Sequence, residues 1–249
     1  YENNGAADPS WTAADIATTA DGARSVFAAD MDNDGDIDIL AAAQEEDKIY
    51  WFESDGAADP SFTATTITSS ADGIYSVYAK DLDNDGDMDI MSASANDDKI
   101  AWYDNNGAAD PSFTARTIAT SADGAASVFA ADLDGDGDQD VISASLNDNT
   151  VAWYENGLAA YSDPSFSSAN IATSFDAAAQ VRTVDIDNDG DLDVLAAAYA
   201  DDELAWFENN GASDPSFTAR TITTSADGAY SVCLLYTSDA ADEGLGVAV

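Results

Sequence analysis

The chain has 249 residues, with 49 Asp and Glu against seven Lys and Arg and no His, for a formal net charge of −42. So acidic a balance excludes nucleic acid as a partner, since gripping phosphates takes a basic footprint. The missing His and single Cys exclude Ser-His-Asp triads, Cys-His dyads and ordinary zinc sites, and no apolar run reaches the ~20 residues a membrane helix needs, so no membrane insertion is expected.

In chain order, residues 1–5, YENNG, match residues 154–157 and 207–211, so the chain is expected to begin inside a repeating unit, with a strand over residues 12–18 completing it. The first full unit then predicts four short strands, over residues 25–29, 38–43, 48–53 and 63–68, rich in Val, Ile, Thr and aromatic residues. Between them lie an acidic Gly loop, the polar residues 44–47 and the breaker segment GAADPSF. The loop DMDNDGDID, beginning at Asp30, recurs as DLDNDGDMD at Asp81, DLDGDGDQD at Asp132 and DIDNDGDLD at Asp185, in steps of 51, 51 and 53 residues. Trp51, Trp102, Trp153 and Trp206 keep the same steps, so the whole unit repeats. The two extra residues of the last step fall near Tyr161 and Ser162, as a loop insertion. Residues 175–182, FDAAAQVR, look helical in isolation but align with residues 122–129, which makes them a loop leading into a first strand.

A fifth copy starts at Ser225, but from Cys233 the repeat is lost, and CLLYTSDAADE resembles translated sequencing-adapter read-through. The expected organisation is a repeat array over residues 1–232, with units beginning near residues 1, 19, 70, 121, 174 and 225, followed by a non-repeat, artefactual tail over residues 233–249. Cys233 then supports no redox inference.

Four short strands per ~50 residues is the spacing of a propeller blade. In the third strand Ile49 and Trp51 point one way and Tyr50 and Phe52 the other. A sheet apolar on both faces needs a neighbour on each, as stacked blades provide, whereas a sandwich would want polar residues at alternate positions. The fold class is therefore all-β, a β-propeller of four-stranded blades with four to five blades present. Inter-blade packing accounts for the tryptophans more simply than sugar stacking does. Turn chemistry likewise accounts for Asn209 and Asn210 better than ligand recognition.

Five Asp in nine residues repel one another, by ~1 kcal/mol per 4 Å pair in water and ~4 kcal/mol near a protein surface, and a cation turns that repulsion into binding. Asp at loop positions 1, 3, 5 and 9 with Gly at position 6 suits a hard cation, and an oxygen-only, flexible donor set favours calcium over magnesium. An EF-hand would need Glu at position 12, where the chain has Ala41, Ser92, Ser143 and Ala196.

By these residues the chain resembles the FG-GAP and VCBS repeat family, whose best-known relatives are the seven-bladed propellers of integrin alpha chains. The family pattern DxDxDGxxD, between the first and second strands of a blade, is matched by all four copies. The resemblance implies about four calcium ions, with ligands Asp30, Asp32, Asp34 and Asp38; Asp81, Asp83, Asp85 and Asp89; Asp132, Asp134, Asp136 and Asp140; and Asp185, Asp187, Asp189 and Asp193. Position 7, occupied by Asp36, Asp87, Asp138 and Asp191, would add a backbone carbonyl. The family ring usually closes with seven blades, so a shorter array implies a partial ring that self-associates through its open blade ends.

The function expected is a calcium-binding, non-catalytic module of an extracellular or cell-surface protein that mediates adhesion or binds a protein or glycan. Two alternatives are the propeller domain of a polysaccharide-degrading lyase or hydrolase, and a multivalent lectin with a pocket per blade. An enzyme should show a residue that breaks the repeat on one face, and no reactive residue stands out among the four copies.

Overall fold

The computed structural model describes residues 2–3, 11–157, 164–235 and 246–248. Its architecture is a partial β-propeller of four blades, each an antiparallel four-stranded meander in chain order. Blade 1 consists of Ala23–Ala29, Asp38–Ala43, Lys48–Ser54 and Phe62–Thr68. Blade 2 consists of Ile74–Lys80, Asp89–Ser94, Lys99–Asn105 and Phe113–Ala119. Blade 3 consists of Ala125–Ala131, Asp140–Ser145, Thr150–Asn156 and Phe166–Ala172. Blade 4 consists of Ala178–Val184, Asp193–Ala198, Glu203–Asn209 and Phe217–Thr223. The helical look of residues 175–182 yields to the repeat, and Ala178–Val184 is an inner strand.

Strand alternation places the core between blades. In blade 2, Ile90, Ala101 and Tyr103 face blade 1, where they meet Leu40, Ile49 and Trp51, while Met91, Ile100 and Trp102 face Val128 and Val141 of blade 3. The same interlock joins blades 3 and 4 through Ile142, Trp153, Val181 and Phe207. Trp51, Trp102 and Trp153 are thus buried inter-blade residues, and Trp51 and Trp153 meet Phe113 and Phe217 of the next blade edge-on at 6.4 Å. Beyond blade 4, Leu195 and Leu204 pack against Ala229 and Val232.

Polar ties join the blades at both ends. At the end bearing the acidic loops, the amide of Asn105 donates to the carbonyls of Met31 and Met88, so one side chain holds the loop of its own blade and that of the blade before. Asn156 does the same for Leu82 and Gln139, and Asn209 for Leu133 and Leu192. At the other end, Asp47, Asp98 and Asp202 accept from the backbone N–H of Gly73, Gly124 and Gly228, and Asn149 accepts from Ala177. All four acceptors have φ between 54° and 61°, a left-handed turn conformation that Asp and Asn tolerate.

The ends differ from the repeat. The strand expected over residues 12–18 reduces to Trp11–Thr12, paired with Glu2–Asn3. Glu2 lies opposite Thr12, and residues 13–18 form no strand. At the other end Cys233–Leu235 pairs with Gly246–Ala248; residues 236–245 and 249, the rest of the expected tail, lie outside the described residues, as does the insertion near Tyr161 and Ser162.

Candidate functional site

Each acidic loop follows an inner strand and leads into the second strand, so the four loops share one end of the propeller. The turn is made by left-handed backbone at two positions. Position 4 has φ of 59–62° at Asn33, Asn84 and Asn188 and 76° at Gly135; position 6 has φ of 95–101° at Gly35, Gly86, Gly137 and Gly190. A Cβ on any of these position-6 glycines would meet nothing within 4 Å, so it is backbone conformation, not space, that demands glycine there.

The loop carboxylates are held by the loop's own amides. The position-1 side chain accepts from the Gly N–H at position 6, at 3.0 Å in Asp30 and Asp81 and 3.1 Å in Asp132 and Asp185. Position 3 accepts from the N–H of position 5, as in Asp32 with Asp34 at 3.2 Å, and position 5 from that of position 7, as in Asp34 with Asp36 at 2.8 Å. These bonds repeat in the other three loops. At position 1 the second oxygen is engaged as well in blades 2 to 4, where Asp81, Asp132 and Asp185 accept from the N–H of Asp85, Gly135 and Asp189, whereas in blade 1 the second oxygen of Asp30 takes no hydrogen bond.

The fourth expected ligand has a second role. Asp38, Asp89, Asp140 and Asp193 are at most 1 % exposed. One oxygen of each accepts from position 2 of the loop, the other from the last residue of the third strand: Met31 and Ser54 for Asp38, Leu82 and Asn105 for Asp89, Leu133 and Asn156 for Asp140, Ile186 and Asn209 for Asp193. These residues clip the loop to the sheet.

In every loop three carboxylates offer oxygens that lie within 4.8 Å of one another. The groups are Asp30, Asp32 and Asp38; Asp81, Asp83 and Asp85; Asp132, Asp134 and Asp136; and Asp185, Asp187 and Asp193. Positions 1 and 3 converge in all four, joined by position 9 in blades 1 and 4 and by position 5 in blades 2 and 3. Asp34, Asp89, Asp140 and Asp189 stand outside these groups. The position-7 side chains turn elsewhere: Asp87 and Asp138 accept from the amides of Asn33 and Asn84 in the preceding blade, at 2.7 and 2.8 Å. Asp36 and Asp191 lie over Gly56 and Gly211.

Burial, opposed by the amide bonds, pushes the Asp89 and Asp140 carboxyls up to about 7. Burial and then the charge of Asp85 raise Asp83 to about 6. Asp32, Asp134, Asp187 and Asp193 are raised as well, again chiefly by burial. A buried carboxyl resists ionisation in this way, the neighbouring acids adding to the effect, unless a cation joins it. Oδ1 of Asp30 is buried with no hydrogen-bond partner. An orphaned carboxylate oxygen inside an all-oxygen cluster fits a hard metal ion, and each repeat carries one cluster able to hold one.

Other sequence candidates are structural. Asn209 is 1 % exposed and serves as an inter-blade tie, and Asn210 accepts from the N–H of Ala212 and Ser216 within its turn. What the sequence reading missed is a break in the repeat. Arg24 stands where the other blades carry Tyr75, Ala126 and Ala179, and Arg182 where they carry Phe27, Tyr78 and Phe129. Aligning the units residue by residue, with the 53-residue step, exposes both. The two arginines line one cavity of about 450 Å³, walled by the inner strands of all four blades and by Tyr230 and Ser231.

A family model, the FG-GAP-like repeat, matches the chain four times, over residues 30–92, 81–143, 132–196 and 185–236. No curated protein matches it. Among solved structures, an Agrocybe aegerita lectin that recognises non-reducing terminal N-acetylglucosamine superposes with a TM-score of 0.54 at 20% identity, over 81% of this chain and 52% of its own. The biofilm matrix protein Bap1 of V. cholerae gives 0.54 at 19%, over 84% and 30%. A Bacteroides uniformis protein assigned as a 6-phosphogluconolactonase gives 0.54 at 14%, over 84% and 56%. The chain spans little more than half, or less, of these structures, and at such identities the likeness is one of fold.

Proposed function

The chain belongs to the FG-GAP-like repeat family, and from that membership and its four carboxylate clusters we propose that it is a calcium-stabilised, non-catalytic binding module of an extracellular or cell-surface protein. The repeat array over residues 1–232 is the module, and its ligand is a protein or a glycan. The observation that carries the calcium reading is the recurrence of one donor set in four loops, with a buried carboxylate oxygen of Asp30 left without a partner. Positions 1, 3, 5 and 9 of each loop supply carboxylate oxygens and position 7 its backbone carbonyl. Position 9 can serve both as clip and as ligand, because a carboxylate oxygen that accepts one N–H keeps a second lone pair.

A bound calcium ion supplies positive charge and coordination, not chemistry on a substrate. The chain's own residues fix the loop: glycine makes the bend, amides orient the carboxylates, and the position-9 Asp ties them to the sheet. Binding or adhesion draws support from the lectin and matrix-protein structures whose fold the chain resembles. Calorimetric titration with calcium should report about four ions per chain, with Kd in the ~10⁻⁴ to 10⁻³ M range of extracellular modules. No uptake at millimolar calcium would overturn the reading.

A further inference from the structure

The axial cavity has its own chemistry, distinct from that of the loops. In each blade the pairing of inner and second strands slips by one residue, between Ala23 and Ser25, Ile74 and Ser76, Ala125 and Ser127, and Ala178 and Gln180. The extra residue of the bulge is Arg24 in blade 1 and Tyr75, Ala126 and Ala179 in the others, and all four line the cavity. Bulges re-aim a side chain and are common beside functional sites. The Arg24 guanidinium lies 3.7 Å from the centroid of the Tyr75 ring and 5.5 Å from that of Tyr230, and donates to the Tyr230 hydroxyl.

Three residues further along the strands lies a second layer. Phe27, Tyr78 and Phe129 stack in series, with centroids 4.7 and 4.5 Å apart, and the Arg182 guanidinium closes the row 5.3 Å from Phe129. Each layer thus sets one arginine against aromatic rings. In a chain with 49 acids, none of the residues lining the cavity is Asp or Glu. Among the described residues, Lys48, Lys99, Arg116 and Arg220 form ion pairs with acids, whereas Arg24 and Arg182 form none. Each is seen to spend one donor, on Tyr230 and on the Val181 carbonyl, of the five a guanidinium has. The acidic loops begin six residues beyond Arg24 and three beyond Arg182, roughly 20 and 10 Å along an extended strand, so neither cation meets a loop carboxylate at contact range.

From this geometry we propose that the axial cavity binds a small acidic sugar, its carboxylate held by the arginines and its ring faces set against the aromatic rows. Guanidinium is the natural partner of a carboxylate, aromatic faces suit the apolar side of a sugar ring, and Ser25, Ser76, Ser127, Gln180 and Ser231 supply hydroxyl and amide partners for its hydroxyls. The volume is that of an ordinary small-ligand site. This proposal rests on the reading of the chain as a binding module and gives that module a ligand class, but it does not depend on which ion the loops hold.

The test is titration of the full chain, in millimolar calcium, with glucuronate, glucose and inorganic phosphate. Glucuronate should bind with a stoichiometry near one, and glucose at least about tenfold more weakly, the loss of a charge-assisted contact. Arg24→Ala and Arg182→Gln should each weaken glucuronate at least tenfold. Lys80→Ala, which removes the same charge outside the cavity, should leave it unchanged. Calcium uptake by the same variants should match the parent, which separates failure of the cavity from failure of the module reading. No glucuronate binding by a chain that takes up calcium, equal binding of glucose, phosphate bound as tightly as glucuronate, or indifference to both arginine variants would overturn the proposal.

Discussion

At the scale of single residues, two glycines of blade 1 with the same sign of φ make a discriminating pair. Gly35 has φ +95 with open space around it, whereas a Cβ on Gly56, at φ +64, would come within 1.9 Å of Oδ2 of Asp36. Gly35→Ala should therefore cost the backbone term alone, about 1–3 kcal/mol. Gly56→Ala should cost a comparable left-handed penalty and also dislodge the Asp36 side chain, weakening calcium binding at loop 1 without touching loops 2 to 4. Chemical denaturation and calcium titration of both variants check this, and identical calcium curves would refute it. The position-9 clip yields a second expectation. Asp89→Ala leaves the N–H groups of Leu82 and Asn105 buried without acceptors, at about 1–3 kcal/mol each, while Asp89→Asn retains one acceptor oxygen and should lose roughly half as much. Equal losses in urea denaturation would mean that the clip does not matter.

At the scale of elements, the inter-blade ties differ in burial and so in energetic weight. Asn156, 0 % exposed, bonds two carbonyls belonging to successive loops, whereas Asn33 reaches Asp87 through an exposed bond. Asn156→Ala should destabilise by about 2–4 kcal/mol, for two stranded carbonyls, while Asn33→Gly, which copies Gly135 of blade 3 and keeps the left-handed turn, should fall within about 1 kcal/mol of the parent. Thermal melts in calcium that rank the two the other way would show that the ties do not bind the blades. The ties also explain why calcium should act on the whole array: a loop emptied by EDTA loosens the carbonyls its neighbour's Asn holds. Each occupied site at 100-fold excess over Kd contributes ~2.7 kcal/mol, so chelation should lower the melting temperature sharply, and a melt indifferent to EDTA would show the carboxylates to be merely solvated. Most of this level was legible in the sequence, because the 51-residue step fixes which residues are equivalent and strand alternation fixes which faces are apolar. The clip made by Asp89 was not, since a DxDxDGxxD pattern says nothing about which lone pairs the backbone takes. Nor was the weight of Arg24, whose aim depends on a bulge that leaves no mark in the residue pattern.

At the scale of the whole molecule, one position measures the openness of the ring. Val77, Val128 and Val181, equivalent residues of the inner strands, are 4 %, 1 % and 0 % exposed, but Val26 of blade 1 is 69 % exposed. The first three are covered by the blade before; among the described residues no blade precedes blade 1. The residue pairs at the two ends lie in separate two-stranded sheets, so among the described residues no sheet joins them into a closed ring. Such an arc presents apolar blade surface that soluble monomers seldom leave uncovered, and blade-on-blade stacking is the contact the rest of the molecule already uses. Against it stands a net charge of −42, whose repulsion reaches about 10 Å at 0.1 M salt but only about 3 Å at 1 M. The two forces predict opposite responses to salt. If apolar blade faces drive association, sedimentation velocity should show the chain shifting from monomer toward dimer and larger species between 0.1 and 1 M salt, and further on adding calcium, since four divalent ions would cancel about eight of those charges. Val26→Glu, on the exposed face, should hold the chain monomeric at 1 M salt. A parent chain that stays monomeric under every condition would mean that the open faces are covered in another way.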